Sequence, residues 1–432
     1  MGDRNISLIV VDPGHFHAAL VQREMFDGLS PLVRVHAPLE AELLDYLDRI
    51  ARFNTRAAAP TAWQVDLYAA PYSASRLREE KAGGVVVLSG RNQAKIDLIE
   101  VAIDAGLHVL CDKPAIIRRE QFARFEAVLA AAAAKKLAVA DMMSGRVGIM
   151  PRLIRSLTND ADLFGGFQTG TVTEPAVVLG GVHHLLKTVS GVVNRRWPWY
   201  FDIGQQGEGL ADTGVHLVDR VHEILFPGFA LDYRRDVEVI AASRWPTEIT
   251  SAQFEQVSGV PAWPAELQPW VEGDRLRYFC NGQVDYRVRG IHARLETVWG
   301  WQAAPGRDDT QAALFRGAYC DIELRHGAEE HYRPELYIVP RRALDAEIGQ
   351  WAQRTALDLP GLDLQRCGQD WRVIVPDALR IGHEAQFAAF ARQFFEYARR
   401  PESLPARDRP NLLAKYHVTT KAVALSHRAA DK

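Results

Sequence analysis

Asp212 and His216 stand four residues apart, and that spacing can do chemistry. On a helix, positions i and i+4 share a face, so the carboxylate can orient the imidazole while the ring exchanges a proton near neutral pH. The structural alternative makes Asp212 a helix cap and His216 a buried hydrogen-bonding ring. A second polar group, His183, His184 and Lys187, lies in 181-GVHHLLKTVSG-191. Read as a helix, this segment puts His184 and Lys187 on one side, with capping or core hydrogen bonding as the alternative. A third candidate is 8-LIVVDPGHFHAAL-20, a buried strand running into a turn. There Gly14 permits close approach of the backbone to a pyrophosphate, and a following helix N-terminus supplies N–H groups. Against the pattern G-x-G-x-x-G, Asp12 and His17 replace the outer glycines, so an ordinary turn competes with this reading. Asp12 would oppose phosphate if its carboxylate pointed inward, and not if it capped the helix or bonded backbone groups elsewhere.

The elements that would position these residues alternate. Strands are expected at Ile6 to Val11, Val33 to Ala37, Gln64 to Tyr68, Val85 to Leu88 and Leu107 to Leu110. Between them, Leu39, Leu43, Leu44, Leu47 and Ile50 give one helical stripe, and Ile96, Ile99 and Ile103 another, followed by Phe122, Phe125, Val128 and Leu129. Strand and helix in turn predict a mostly parallel sheet covered on both faces, with ligand beyond the carboxyl ends of its strands. Later, Val288 to Val298, Ala318 to Arg325 and Leu336 to Val339 read as strands, and Glu384 to Ala398 as an amphipathic helix. Gly306 to Thr310 reads as a solvated loop. Tyr416 and His417 read as packing residues.

Residues 106-GLHVLCDKPAII-117 carry Asp112-Lys113-Pro114, which resembles the Glu-Lys-Pro motif ending a strand in the Gfo/Idh/MocA oxidoreductase family. Upstream, 84-GVVVLSGRNQAKIDLIEVAIDAG-106 resembles that family's strand, cofactor loop and helix; Asn92 matches, and Lys95 replaces a frequent His. The segment 201-FDIGQQGEGLADTGVHLVDRVHEI-224 resembles the family's Gly-rich approach to an Asp-x-x-x-His helix, and the likeness is to the subgroup with an enlarged C-terminal oxidoreductase domain. It implies a Rossmann domain at residues 1–142. A second α+β domain with a mostly antiparallel sheet would span 143–410, and a helical segment at the domain interface 411–432.

The resemblance also implies roles. Lys113, Asp212 and His216 would be catalytic. His216 would exchange the alcohol proton, Asp212 would orient it, and Lys113 would stabilise charge on the reacting oxygen. Asp12, Gly14, His15, Phe16, His17, Ser89, Asn92, Asp112, Lys113 and Pro114 would hold the cofactor. Arg146, His184, Lys187 and Trp197 would contact substrate, with a salt bridge as the alternative for Arg146. Arg195, Arg196, Trp197 and Trp199 would form a sugar-facing wall or else a packed aromatic hairpin.

Composition sets the remaining bounds. With 432 residues, 47% hydrophobic and 24% charged, the chain is long enough for two cores and ordinary for a globular protein. A formal charge of −3, with no interleaved basic and aromatic array, argues against nucleic acid. The acidic start with its short apolar run lacks the form of a secretion signal, and no membrane-length apolar segment follows, so a cytoplasmic location is expected. Cys111, Cys280, Cys320 and Cys367 are dispersed and are read as thiols, and no metal-ligand spacing is evident. His36-Ala37-Pro38 ends the second strand without the acid that often binds the ribose of NAD, and no basic cluster there selects NADP. The expectation is an oxidoreductase using NAD in preference to NADP on a sugar, glycoside or cyclitol, as a homodimer or homotetramer. Redox-assisted glycoside hydrolysis is one alternative, and a nonenzymatic nucleotide or sugar sensor another.

Overall fold

The computed structural model describes residues 5–71, 74–189, 192–193, 195–305, 307 and 309–430, and the chain divides into two compact units. Unit 1 comprises Met1–Gly145, Gly204–Gly207 and His383–Leu412; unit 2 comprises Arg146–Ile203, Glu208–Gly382 and Leu413–Lys432. The division is less sequential than the sequence boundaries, because residues 383–410 pack with the first unit.

Unit 1 is built on six strands: β1 (Ile6–Val11), β2 (Leu29–Ala37), β3 (Gln64–Ala69), β4 (Val85–Leu88), β5 (His108–Cys111) and β6 (Val139–Asp141). They pair in parallel in the order β3-β2-β1-β4-β5-β6, the Rossmann arrangement. β4 reads as an unbroken apolar run and β1 as one broken only at Ser7, because both of their faces are covered. In the helix Ala41–Thr55, Leu43, Tyr46 and Ile50 turn inward. Leu39 and Leu44, expected in that stripe, are 68% and 57% exposed.

The helix after β1 begins at His17 as expected but ends at Leu20, too short to cover a sheet face. The helix His383–Arg399 supplies the missing cover. Its Phe387, Ala391, Phe394 and Phe395 join Val10, Val33, Val35 and Phe26 in one core. Each valine or phenylalanine so removed from water contributes about 1.5–3 kcal/mol.

Unit 2 contains a mostly antiparallel sheet. Its main strands run Val237–Thr250, Arg275–Val288, Ile291–Gln302, β7 (Val177–Leu186), Thr310–Arg316, Cys320–Arg325, Glu335–Pro340, Asp370–Ile374 and Asp363–Cys367 across the sheet. Among the described residues only Ile291–Gln302 and β7 pair in parallel in this sheet. The expected strand Val288 to Val298 is divided by a turn in which Arg289 and Gly290 both take positive φ, 49° and 84°. Helices Ile149–Thr158, Gly214–Leu225, Asp345–Asp358 and Asp408–Ala430 bring Leu157, Val221, Trp351 and Val418 into a core with Leu295, Phe315 and Ile322 of the sheet. Among the described residues no helix is long and apolar enough to cross a membrane.

Candidate active site

In unit 1 the functional candidates gather at the carboxyl ends of β1, β4 and β5. Asp12 takes a positive φ of 48° just beyond β1. Its carboxylate accepts the Arg91 backbone N–H at 3.0 Å and a guanidinium N–H at 3.1 Å. Of the two ways Asp12 could tolerate a phosphate, the structure therefore has it bonding groups elsewhere. Gly90 must be glycine for this: a Cβ there would lie 2.2 Å from Asp12 Oδ2.

His17 turns away from the loop backbone towards Asp112. Its Nδ1 lies 3.0 Å from Oδ1, while His15 Nδ1 lies 2.7 Å from Oδ2. Ser89 Oγ donates to Oδ2 at 3.1 Å. Burial lowers the His17 pKa to about 4, against the pull of Asp112, so the ring is neutral at pH 7. For Asp112, burial acts upward but the adjacent His17 and His15 outweigh it and hold the carboxyl well below its usual range. An ionised carboxylate only accepts, which makes Nδ1 the donor nitrogen of His17.

Lys95 is the residue that sequence reasoning passed over. It is 1% exposed, and its Nζ donates to the carbonyl oxygens of Asp112 and Pro114, at 2.7 and 3.1 Å, and to Asn92 Oδ1. Both ends of the Asp112-Lys113-Pro114 turn are thus tied to one buried ammonium, with Lys113 between them and half-buried. Asn92 donates in turn to the Gln206 carbonyl at 2.7 Å. The substitution of Lys for His was the available signal, and only the fold shows the backbone that the longer side chain reaches.

In unit 2 the expected Asp212-to-His216 helix is two helical segments, Gly209–Asp212 and Gly214–Leu225, meeting at Thr213. Asp212 is 3% exposed and hydrogen-bonded to Tyr200. Trp299 donates its indole N–H to Thr213 Oγ1 at 3.0 Å, and the His183 ring lies 5.0 Å from Trp299. Trp299 thus links the Asp212 region to the second polar cluster.

That cluster sits on β7 and the residue after it, not on a helix as its spacing suggested. His183 Nδ1 and His184 Nδ1 lie 3.1 and 3.0 Å from the carboxylate of Asp309, which also accepts from Lys187 Nζ. Asp309 was expected in a solvated turn; Gly306 and Asp308 of that turn lie outside the described residues. Burial pushes the Asp309 pKa up, but hydrogen bonds from His183 and Lys187 prevail and hold it well below the ordinary carboxylate range. Gly300 pairs across from His184, where a Cβ would approach its ring to 3.2 Å.

Other candidates have defined partners. The Arg146 guanidinium is held by Asp219, with Nε 2.7 Å from Oδ2, and Lys415 Nζ binds the same carboxylate at 2.9 Å. Arg196 is buried between Tyr200 and Trp299 and donates to the Leu185 carbonyl at 2.9 Å. Trp197, half-buried, packs against the aromatic core of Trp199, Tyr200, Phe201 and Phe254. Tyr416 is fully buried and the His417 ring lies 4.9 Å from that of Tyr233, as packing residues should.

A family described as "Putative oxidoreductase C terminal domain" matches residues 153–427. A putative oxidoreductase from Parabacteroides merdae is 36% identical, with 99% of this chain and 98% of that one covered, at a TM-score of 0.96. KijD10, a 3-ketoreductase from Actinomadura kijaniata in complex with NADP and TDP-benzene, is 14% identical over 98% of this chain and 97% of its own, at 0.55. Levoglucosan dehydrogenase, in complex with NADH and levoglucosan, is 15% identical over 98% of each chain, at 0.59. No curated protein matches. The Rossmann unit, the antiparallel second unit and the matched C-terminal domain together make this chain a member of the Gfo/Idh/MocA oxidoreductase family.

Proposed function

We propose that this oxidoreductase transfers a hydride between a nicotinamide dinucleotide, NAD in preference to NADP, and a hydroxyl-bearing carbon of a sugar, glycoside or cyclitol. The observation that carries the reading is the braced turn after β5. Lys95 holds the carbonyls on either side of Lys113, so a cation is fixed at the strand ends where a dinucleotide binds in this fold. The two side chains that replace glycines are drawn aside, Asp12 to Arg91 and His17 to Asp112, and so fit a dinucleotide along residues 14–17. Ser89, Asn92 and residues 112–114 would complete its seat.

Bound nicotinamide supplies the hydride acceptor or donor. On oxidation, Lys113 stabilises negative charge on the substrate oxygen, and His216 takes the hydroxyl proton at its imidazole. Asp212, hydrogen-bonded to Tyr200, positions that helix segment. His184 and Lys187, braced by Asp309, bind further hydroxyls.

Preference for NAD is supported by Glu80, which bonds His36 at 3.1 Å and the Arg34 guanidinium near the end of β2 and brings to that strand end an acid able to accept from ribose hydroxyls. Relatives of the fold carry NADP in one case and NADH in another. A cytoplasmic location belongs to the same reading.

The test is mass spectrometry of gently purified protein with free sugars, inositols and glycosides, while absorbance follows reduced cofactor. A dehydrogenated product matched by reduced nicotinamide is expected. Glycosidic cleavage without net reduction would replace the reading with redox-assisted hydrolysis. Verified binding of cofactor and sugar without either reaction would replace it with a sensor.

A further inference from the structure

The cluster of His15, His17 and Asp112 is more compact than a dinucleotide seat requires. One ligating atom from each lies within 4.8 Å of the other two, although 95 residues separate the second histidine from the carboxylate. We propose that these three side chains bind a divalent first-row transition-metal ion.

Two features of the geometry go beyond an ordinary hydrogen-bond pair. Each carboxylate oxygen faces a different imidazole, Oδ1 towards His17 and Oδ2 towards His15. His15 Nδ1 is buried and 2.7 Å from Oδ2, yet it lacks the alignment of a hydrogen bond and is left without a partner of that kind. A nitrogen lone pair directed at a shared ion satisfies it where the carboxylate alone does not.

The surroundings hold all three groups in place. Ser89 Oγ donates to Asp112 Oδ2, and the Ser89 carbonyl accepts the His15 backbone N–H at 2.7 Å. The His17 ring stacks on His383 at 5.4 Å between centroids and meets Phe387 at 5.0 Å. Such outer contacts orient metal ligands and limit how far they relax when the ion leaves.

The donor set selects the ion. Two imidazoles and one carboxylate suit zinc, cobalt or nickel, whereas magnesium and calcium prefer oxygen alone. Three protein ligands leave a coordination position open, as in catalytic and not structural zinc sites. An ion here would present that position to an anionic oxygen at the strand ends, where the four-residue helix after β1 offers little dipole of its own. Lys95 and Lys113 stand near the same carboxylate and oppose a second positive charge, which makes nitrogen coordination decisive for binding.

The experiment uses the full chain, without an affinity tag, stripped with EDTA and titrated with Co²⁺. Visible d–d bands saturating at one equivalent are expected, as is their displacement by Zn²⁺. His15→Ala, at a half-buried position, and the isosteric Asp112→Asn should each weaken binding by at least about tenfold, with folding checked by circular dichroism. His331→Ala, an exposed histidine elsewhere, should bind like the parent. Absence of d–d bands in the parent, or equal binding by the His15 and Asp112 variants, overturns the assignment. The inference stands apart from the cofactor reading: NADH fluorescence titration of the same stripped protein scores that reading separately, and either can fail while the other holds.

Discussion

A lysine shut away from water is costly unless its three donors find acceptors, and Lys95 finds Asn92 and two backbone carbonyls. Lys95→Met should therefore lower stability by roughly 1–3 kcal/mol for each carbonyl left without a donor. It should also loosen the Lys113 turn, so that turnover falls more than folding loss explains. Urea denaturation and kinetics on the folded fraction check this, and an unchanged midpoint would show the bonds to be dispensable. His108 gives a sharper test. Burial lowers its pKa from 6.5 to about 4, and its Nδ1 accepts the Ala138 N–H at 3.0 Å. Between those pH values the unfolded chain takes a proton that the folded one refuses. Stability is then full above pH 6.5 and falls as pH drops towards 4, by up to about 3 kcal/mol. His108→Asn keeps an acceptor without titrating, so its denaturation midpoint should fall less from pH 7 to 4.5. His17 and His222 shift in the same direction and leave a residual slope in the variant.

Among the elements, the helix His383–Arg399 does what a longer first crossover helix would have done. Phe394 is 2% exposed in the unit 1 core. Phe394→Ala should cost about 3–5 kcal/mol, with faster hydrogen exchange in β1 and β2 as the local readout. If exchange quickens only within the helix itself, the covering role is wrong. The periodicity of residues 384–398 was legible as an amphipathic helix, because the 3.6-residue repeat is local. Its partner was not, since that partner lies more than 300 residues earlier in the chain. The turn at Arg289 and Gly290 was missed for a different reason. Arginine is an unusual residue for a positive φ, so Arg289 does not announce a turn between Val288 and the alternation that follows.

Across the molecule, Asp219 ties together segments far apart in sequence. Arg146 and Lys415 both bind it, and Lys415 brings the C-terminal helix with it. Burial favours the neutral acid, but the two cations outweigh this and hold Asp219 far below the ordinary carboxylate range. Asp219→Asn would leave two cations around a neutral group, a loss of about 3–5 kcal/mol, visible as a lowered melting midpoint. An unaltered midpoint would mean that water already solvates both cations. A homodimer or homotetramer is our proposal for the assembled state, and light scattering should return two or four times the 48.3 kDa chain mass. A single chain mass at working concentration would reject it.

By itself the sequence determined the parallel sheet of unit 1, the position of the Asp112-Lys113-Pro114 turn and the membership these motifs imply. All of these rest on apolar runs, helical repeats and short motifs that are written in consecutive residues. Only the tertiary structure decided that Asp12 turns to Arg91, that Lys95 braces the turn, that Asp309 gathers His183, His184 and Lys187, and that two histidines meet Asp112. Those pairings come from strands and loops brought side by side. A polar side chain buried there takes whichever partner the fold puts within about 3 Å, a choice that linear spacing does not encode.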